Sequence, residues 1–242
     1  MLNQFKAFIV FFIVLLVLVQ SALATTFFTA TKEFCPGINN SLRCAESIER
    51  SRLPKNKGFV ERKGNKLRLY LSNRHVVELR NLTHEECAKT EHIKSKNAGI
   101  NDICHYTFWD FFRSVDYYLV FNQYWEGIGF SLVNRKTGRM FLIDDFPNLS
   151  LNNKRFITVD IGDAYTNDRI QIWKFISSGI SLEWTYVPTG NWIGTDAEWI
   201  DDRSIRITYH IPGEKDELVK KYFIVMLDAK GWKVLGENGS LK

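Results

Sequence analysis

Two kinds of residue in this chain have the right chemistry and spacing to form a site: aromatic side chains beside glycine, and clustered carboxylates. Asn122-Gln123-Tyr124-Trp125-Glu126-Gly127 brings two rings and a carboxylate together between two predicted strands. Such a loop can stack on a sugar ring while Glu126 hydrogen-bonds to its hydroxyls. Asn191-Trp192-Ile193-Gly194 repeats the combination, and partly buried rings in a bulged connection are the plainer reading of both. Carboxylates gather at Asp144-Asp145, at Asp160, Asp163 and Asp168, and at Asp201-Asp202. A glycosidase needs two of them opposed across one bond, which sequence alone does not show. Asp160-Ile161-Gly162-Asp163 with Asn167-Asp168 offers oxygen ligands but lacks the every-second-residue spacing of a calcium loop. Solvated turn residues account for these aspartates, so no metal and no cofactor are expected. The chain contains neither Gly-x-Ser-x-Gly nor a glycine-rich phosphate loop, which removes two specific enzyme motifs.

The four cysteines, Cys35, Cys44, Cys87 and Cys104, all lie in the first half. His84, His92 and His105 stand near the last two, but no tight zinc spacing connects them. In an oxidising compartment the even number reads as two disulfides, and closure of short loops favours Cys35 with Cys44 and Cys87 with Cys104. Such a compartment is expected from the start of the chain. One charge at Lys6, an apolar run from Ala7 to Val19 and Ser21-Ala22-Leu23-Ala24 read as a secretory signal over residues 1–24. The run is shorter than the roughly 20 residues of a bilayer span, so no stable membrane span is expected after cleavage. The protein is read as exported, to a periplasm or the extracellular space. Asn39, Asn81, Asn148 and Asn238 begin Asn-x-Ser/Thr triplets, acceptors for glycan only in a glycosylating host.

The elements that must position these residues follow from hydrophobic period. Residues 25–110 are expected to hold a hairpin and two short helices. Leu42, Ala45 and Ile48 give a helix over 41–53 that Pro54 stops. Thr83-His84-Glu85-Glu86 has the hydroxyl-then-carboxylate spacing that opens a second helix, with Asn97-Ala98-Gly99 as its end. Between them, alternating Leu67, Leu69 and Leu71 mark a strand that turns at 72–74 and returns through 76–79. Residues 111–242 read as an antiparallel meander of β-branched and aromatic runs, with no helix of useful length. The two parts are expected to form one continuous, mainly β domain.

Charge divides along the same line. Residues 25–105 hold 15 basic and 9 acidic side chains, and residues 106–242 hold 16 and 18. Export argues against nucleic acid as the partner of the basic part. A solvated lysine-rich surface explains it, with an anionic polymer, lipid headgroups or an acidic protein as the other reading.

Within the meander, glycine-containing turns recur at Gly138, Gly179 and Gly231, and a polar pair followed by a basic residue recurs at Asn152-Asn153 and Asp201-Asp202. A period of about 40–50 residues with four strands in each is the pattern of propeller blades. Phe146-Pro147-Asn148-Leu149-Ser150-Leu151-Asn152-Asn153-Lys154-Arg155-Phe156-Ile157 resembles the repeat of the Tol-type β-propellers, roughly Pro-x-Trp-Ser-Pro-Asp-Gly-Lys-x-Ile-Ala. Pro147, Ser150 and Lys154 match in place. Leu149 stands for the tryptophan, Leu151 for the second proline and Asn152-Asn153 for Asp-Gly. Ala197 to Ile205 is a second copy that has the tryptophan, at Trp199. The resemblance implies blade architecture and no particular reaction. On this reading the chain is a binding or assembly module rather than an enzyme, contacting a protein or glycan through Tyr124, Trp125, Glu126 and Trp192. The alternatives are a carbohydrate-active hydrolase using Glu126 or an aspartate, and a structural envelope protein. Its oligomeric state is not encoded in any of these features.

Overall fold

The computed structural model describes residues 35–38, 40–90, 103–125, 127–160, 169–189, 192–213 and 217–236. The proposed signal segment, the predicted helix end at 97–99 and the 91–102 segment containing His92 lie outside the described residues.

Helix α1 (Ser41–Arg52) starts where its sequence predicts. Asn40 Oδ1 accepts the Arg43 amide at 2.9 Å, satisfying one of the helix's orphan donors. Pro54 does not end the coil abruptly but sits within one 3-10 turn, Leu53–Asn56. Cys44, Ala45 and Ile48 form the buried side of α1. The Cys35–Cys44 disulfide ties the entering chain to that side.

Strands β1 (Val60–Lys63), β2 (Lys66–Tyr70) and β3 (Val76–Arg80) form a three-stranded antiparallel sheet. The expected hairpin is β2–β3, and Leu67, Leu69 and Leu71 are buried as their alternation requires. β1 is an addition that the sequence hid, because Val-Glu-Arg-Lys is short and mostly charged. Pairing with β2 and burial of Val60 recruit it. Helix α2 (His84–Thr90) follows, and its start is the predicted reciprocal cap. Thr83 Oγ1 accepts the Glu86 amide at 3.2 Å, while the Thr83 amide donates to Glu86 Oε2 at 2.8 Å.

Three four-stranded antiparallel sheets come next, each with its strands in chain order. The second sheet of the molecule contains β4 (His105–Phe112), β5 (Tyr117–Tyr124), β6 (Gly127–Asn134) and β7 (Met140–Ile143). β4 runs across residue 110 and lacks clean alternation because both its faces are covered: Phe108 and Trp109 are each buried. The third sheet contains β8 (Asn148–Leu149), β9 (Arg155–Asp160), β10 (Arg169–Ile176) and β11 (Gly179–Tyr186). The fourth contains β12 (Ile193–Asp201), β13 (Ser204–Pro212), β14 (Leu218–Asp228) and β15 (Gly231–Leu235).

The sheets stack in chain order because successive residues of one strand serve different cores. Tyr118 and Val120 face the first sheet, against Leu67 and Leu69. Leu119 and Phe121 face the other way, toward α1 and Phe156 of the third sheet. Ile157 and Val159 then turn from Phe156 to meet Trp199, Ile205 and Ile207 of the fourth. Each fully buried aliphatic or phenyl group contributes roughly 1.5–3 kcal/mol, so three cores hold four sheets in line.

The sheets are also in phase. Ser72 N–H donates to Arg135 O at 3.0 Å, joining the β2–β3 and β6–β7 turns. The Phe141 ring lies against Gly179, joining β7 to the β10–β11 turn. Asn152 N–H donates to Asp202 Oδ1 at 2.9 Å, joining the β8–β9 and β12–β13 turns. These contacts define a turn end of the stack. Strands β5, β7, β9, β11 and β13 all finish at the opposite, loop end. Among the described residues no helix is long and apolar enough to cross a membrane.

Candidate functional site

Of the predicted binding residues, Tyr124, Trp125 and Trp192 lie at the loop end, and the structure gives them different surroundings. Asn122, Gln123 and Tyr124 belong to β5 and Gly127 to β6, so the expected loop is a tight turn with Trp125 at its tip. Gln123 Nε2 donates to Tyr124 O and Gly127 O, both at 2.8 Å, fixing that turn. Asn122 is fully buried, and its Nδ2 donates to Ser131 Oγ at 2.6 Å. The Tyr124 ring covers Gly129, where a Cβ would meet its Cε2 at 3.4 Å. Tyr124 is therefore part of the packing between the first two sheets. Glu126 lies outside the described residues.

Trp125 is different. It is 36% exposed and makes an edge-on contact with His84 of α2, with ring centroids 5.3 Å apart. The Cys87–Cys104 disulfide anchors α2, and the Cys104 amide donates to Gln123 O at 2.8 Å. An exposed indole is thus mounted on a cross-linked, hydrogen-bonded base.

Trp192 enters the core between the third and fourth sheets. It stacks on Tyr209 at 4.0 Å and neighbours Tyr186 and Phe223 at 6.1 and 5.7 Å. Tyr186 in turn stacks on Trp184 at 5.8 Å. The ring cluster is half-buried and closes the loop end of that core. Trp125 on the second sheet and Trp192 at the fourth share an end of the molecule but not a neighbourhood. Thr195, which follows the Asn191-Trp192-Ile193-Gly194 stretch, is buried in β12, and Asn191 lies outside the described residues.

Of the carboxylates, Asp144 and Asp160 are brought together by a residue that the sequence did not single out. Arg169 Nη2 stands 2.8 Å from Asp144 Oδ2 and 3.7 Å from Asp160 Oδ2. An arginine at the first position of a strand carries no local signal of this role; only the β9–β10 register reveals it. Asp145 is partly buried, and its Oδ1 accepts the Phe146 amide at 2.6 Å. Burial pushes its carboxyl up to about 7, with the charges of Asp160 and Asp144 adding to the shift. Asp163 and Asp168 lie outside the described residues. Asp201 and Asp202 sit at the turn end, where they accept the amides of Arg203 and Asn152 at 2.7 and 2.9 Å. They are capping groups of turns, at the opposite end of the strands from Asp144 and Asp160.

The cysteines are consumed in two disulfides with the favoured pairing, which leaves no thiolate for the zinc considered from sequence. His105 is partly buried in β4, and desolvation lowers its pKa. Among the described residues no group of three His, Cys, Asp or Glu side chains is arranged to hold a metal ion. Both disulfides fit an oxidising, exported environment. Of the four glycosylation triplets, Asn39 and Asn238 lie outside the described residues. Asn81 Oδ1 accepts the Tyr106 amide at 2.8 Å. The Asn148 amide group is engaged between sheets, its Nδ2 donating to Ala197 O at 2.6 Å. The chain matches no protein-family model, no curated protein and no solved structure.

Proposed function

We propose that this chain is an exported binding module, periplasmic or extracellular, whose loop end engages a protein or glycan partner. The observation that carries the reading is Trp125. A large ring stands exposed at the tip of a turn that is hydrogen-bonded on both sides and braced by His84 on a disulfide-anchored helix. Rigid, exposed indoles supply contact area at low conformational entropy and dominate recognition surfaces. The three in-phase meanders serve as blade-like units that hold this end together, in keeping with the propeller resemblance of residues 146–157. The signal-like start and the paired cysteines support export.

The test compares mature protein with Trp125→Ala on a polysaccharide array and in cross-linking within the exporting cell. Specific binding that falls at least about tenfold in the variant supports the reading, since a buried aromatic anchor contributes roughly 1–2 kcal/mol or more. Binding indifferent to Trp125, or a hydrolytic activity abolished by one carboxylate change, overturns it.

One observation favours a hydrolase as the second reading. Burial, with the charges of Asp160 and Asp144 adding to it, raises the Asp145 carboxyl to about 7, the range in which a general acid works. Turnover of a polysaccharide that disappears in Asp145→Asn would establish it.

A further inference from the structure

The two ends of the four-sheet stack are finished differently. The outer face of the first sheet is closed by its own ion pairs. Lys66 meets Glu78 at 2.5 Å, Arg68 lies 3.5 and 3.4 Å from Glu61 and Glu78, and the Tyr70 hydroxyl donates to Glu61 at 2.7 Å. Such a polar lattice is how a terminal repeat is capped. The outer face of the fourth sheet instead carries an open trough of about 530 Å³ floored by Thr208, Tyr222 and Ile224. Tyr222 is 52% exposed and Ile200, beside the trough, 50%.

Charge on this face has a direction. β12 contributes Asp196 and Glu198, while β14 contributes Lys220 on the far side. Arg206 on the central β13 leans toward β12, held by its ion pair with Glu198. The register sets Asp196, Thr208 and Tyr222 in one row across the sheet, with Lys220 one row further along.

We infer that this face is a self-complementary interface that pairs with a second copy of the same chain across a two-fold axis parallel to the strands. That axis exchanges the two sides of the sheet, so the acidic β12 of one copy lies over the basic β14 of the other. Asp196 then comes within one row of the second copy's lysine at position 220, and Tyr222 and Ile224 close over the central trough. An axis perpendicular to the strands would oppose acid with acid and is disfavoured. A two-fold contact of this kind uses the same patch on both copies.

Area sets the strength. With β12 over β14, three strands of each copy overlap; about 4.8 Å apart and about nine residues long, they present roughly 440 Å² per copy, or about 880 Å² in all. That is near the lower bound of about 1,000 Å² for a specific interface, so the dimer is a weak one. Burial raises the pKa of Asp196 even though Lys220 and Arg206 of its own chain act to lower it, and a second ammonium group from the other copy relieves more of that penalty.

Sedimentation velocity of mature protein from about 1 to 500 µM tests the inference, as this range brackets a micromolar dissociation constant. A monomer–dimer equilibrium is expected. Tyr222→Asp should abolish it with the melting temperature unchanged, since the ring is exposed. Lys220→Glu and Asp196→Lys should each weaken it at least about tenfold, one ion pair at a small interface being worth about 1.4 kcal/mol or more. The double variant carrying both changes should restore it. A protein that stays monomeric throughout, a dimer indifferent to Tyr222→Asp, or a dimer broken by Glu78→Arg on the first sheet overturns the inference. The inference does not depend on the loop-end reading, which Trp125→Ala tests separately.

Discussion

Trp199 Nε1 donates to the Asn148 carbonyl at 3.0 Å, and the Asn148 side chain donates back to Ala197 O at 2.6 Å. These residues occupy the two copies of the repeated stretch, so the echo in sequence is a direct contact in space. A third bond, from the Asn152 amide to Asp202, locks the adjoining turns. The two stretches thus hold one another between the third and fourth sheets. Removing the amide donor with Asn148→Ala leaves Ala197 O unpartnered in a half-buried seam, at about 1–3 kcal/mol. The urea midpoint should fall accordingly, and Trp199→Phe should lower it by a similar amount.

Glu49 joins three elements from α1. It is 93% buried by its 7% exposure, accepts from Arg62 Nε and Nη2 at 2.8 and 2.7 Å, and accepts the Phe108 amide at 2.6 Å. Arg62 also donates to Tyr106 O at 2.7 Å. Glu49→Ala strands a partly buried guanidinium and a buried amide together, which should cost about 3–5 kcal/mol. Thermal unfolding should show this as a drop far larger than that of Lys66→Ala, whose ion pair is exposed.

Asp145 sets a pH dependence whose sign follows from linkage. Its folded pKa, about 7, exceeds the ordinary 3.8, so the folded state binds the proton more tightly. Its contribution is full below the unfolded value, is lost as pH rises to about 7, and is flat above. The groups facing it are Asp144 and Asp160, with Arg169 holding those two. Asp145→Asn should match the parent near pH 3 and exceed it by roughly 4 kcal/mol near pH 8. Urea titrations at both pH values check this, and an equal offset at each would refute it.

Gly179 turns β10 into β11 at φ +141°, and a Cβ there would come within 2.5 Å of the Phe141 ring. Gly179→Ala therefore meets backbone strain and a clash together, at about 2–4 kcal/mol. Adding Phe141→Ala should recover only the steric share. Equal stability of the single and double variants would show that backbone strain alone matters.

What the sequence determined here was local. Alternation marked Leu67, Leu69 and Leu71 as one buried face, the Thr83–Glu86 spacing marked a cap, and Gly138, Gly179 and Gly231 marked turns that take positive φ. Those signals are legible because they depend on neighbours a few residues apart. β1 and β4 were not legible: charged side chains obscured one, and cores on both faces removed the alternation of the other. The candidate site divides in the same way. Tyr124, Trp125 and Trp192 look alike in sequence, each an aromatic residue near glycine. Only the tertiary structure covered Gly129 with one, stacked another on Tyr209, and left Trp125 exposed on its anchored turn. Arg169 between Asp144 and Asp160, and the open face of the fourth sheet, were likewise decided by which sheet packs on which. Exposure is a property of the whole stack, set by long-range burial that no short window of sequence contains.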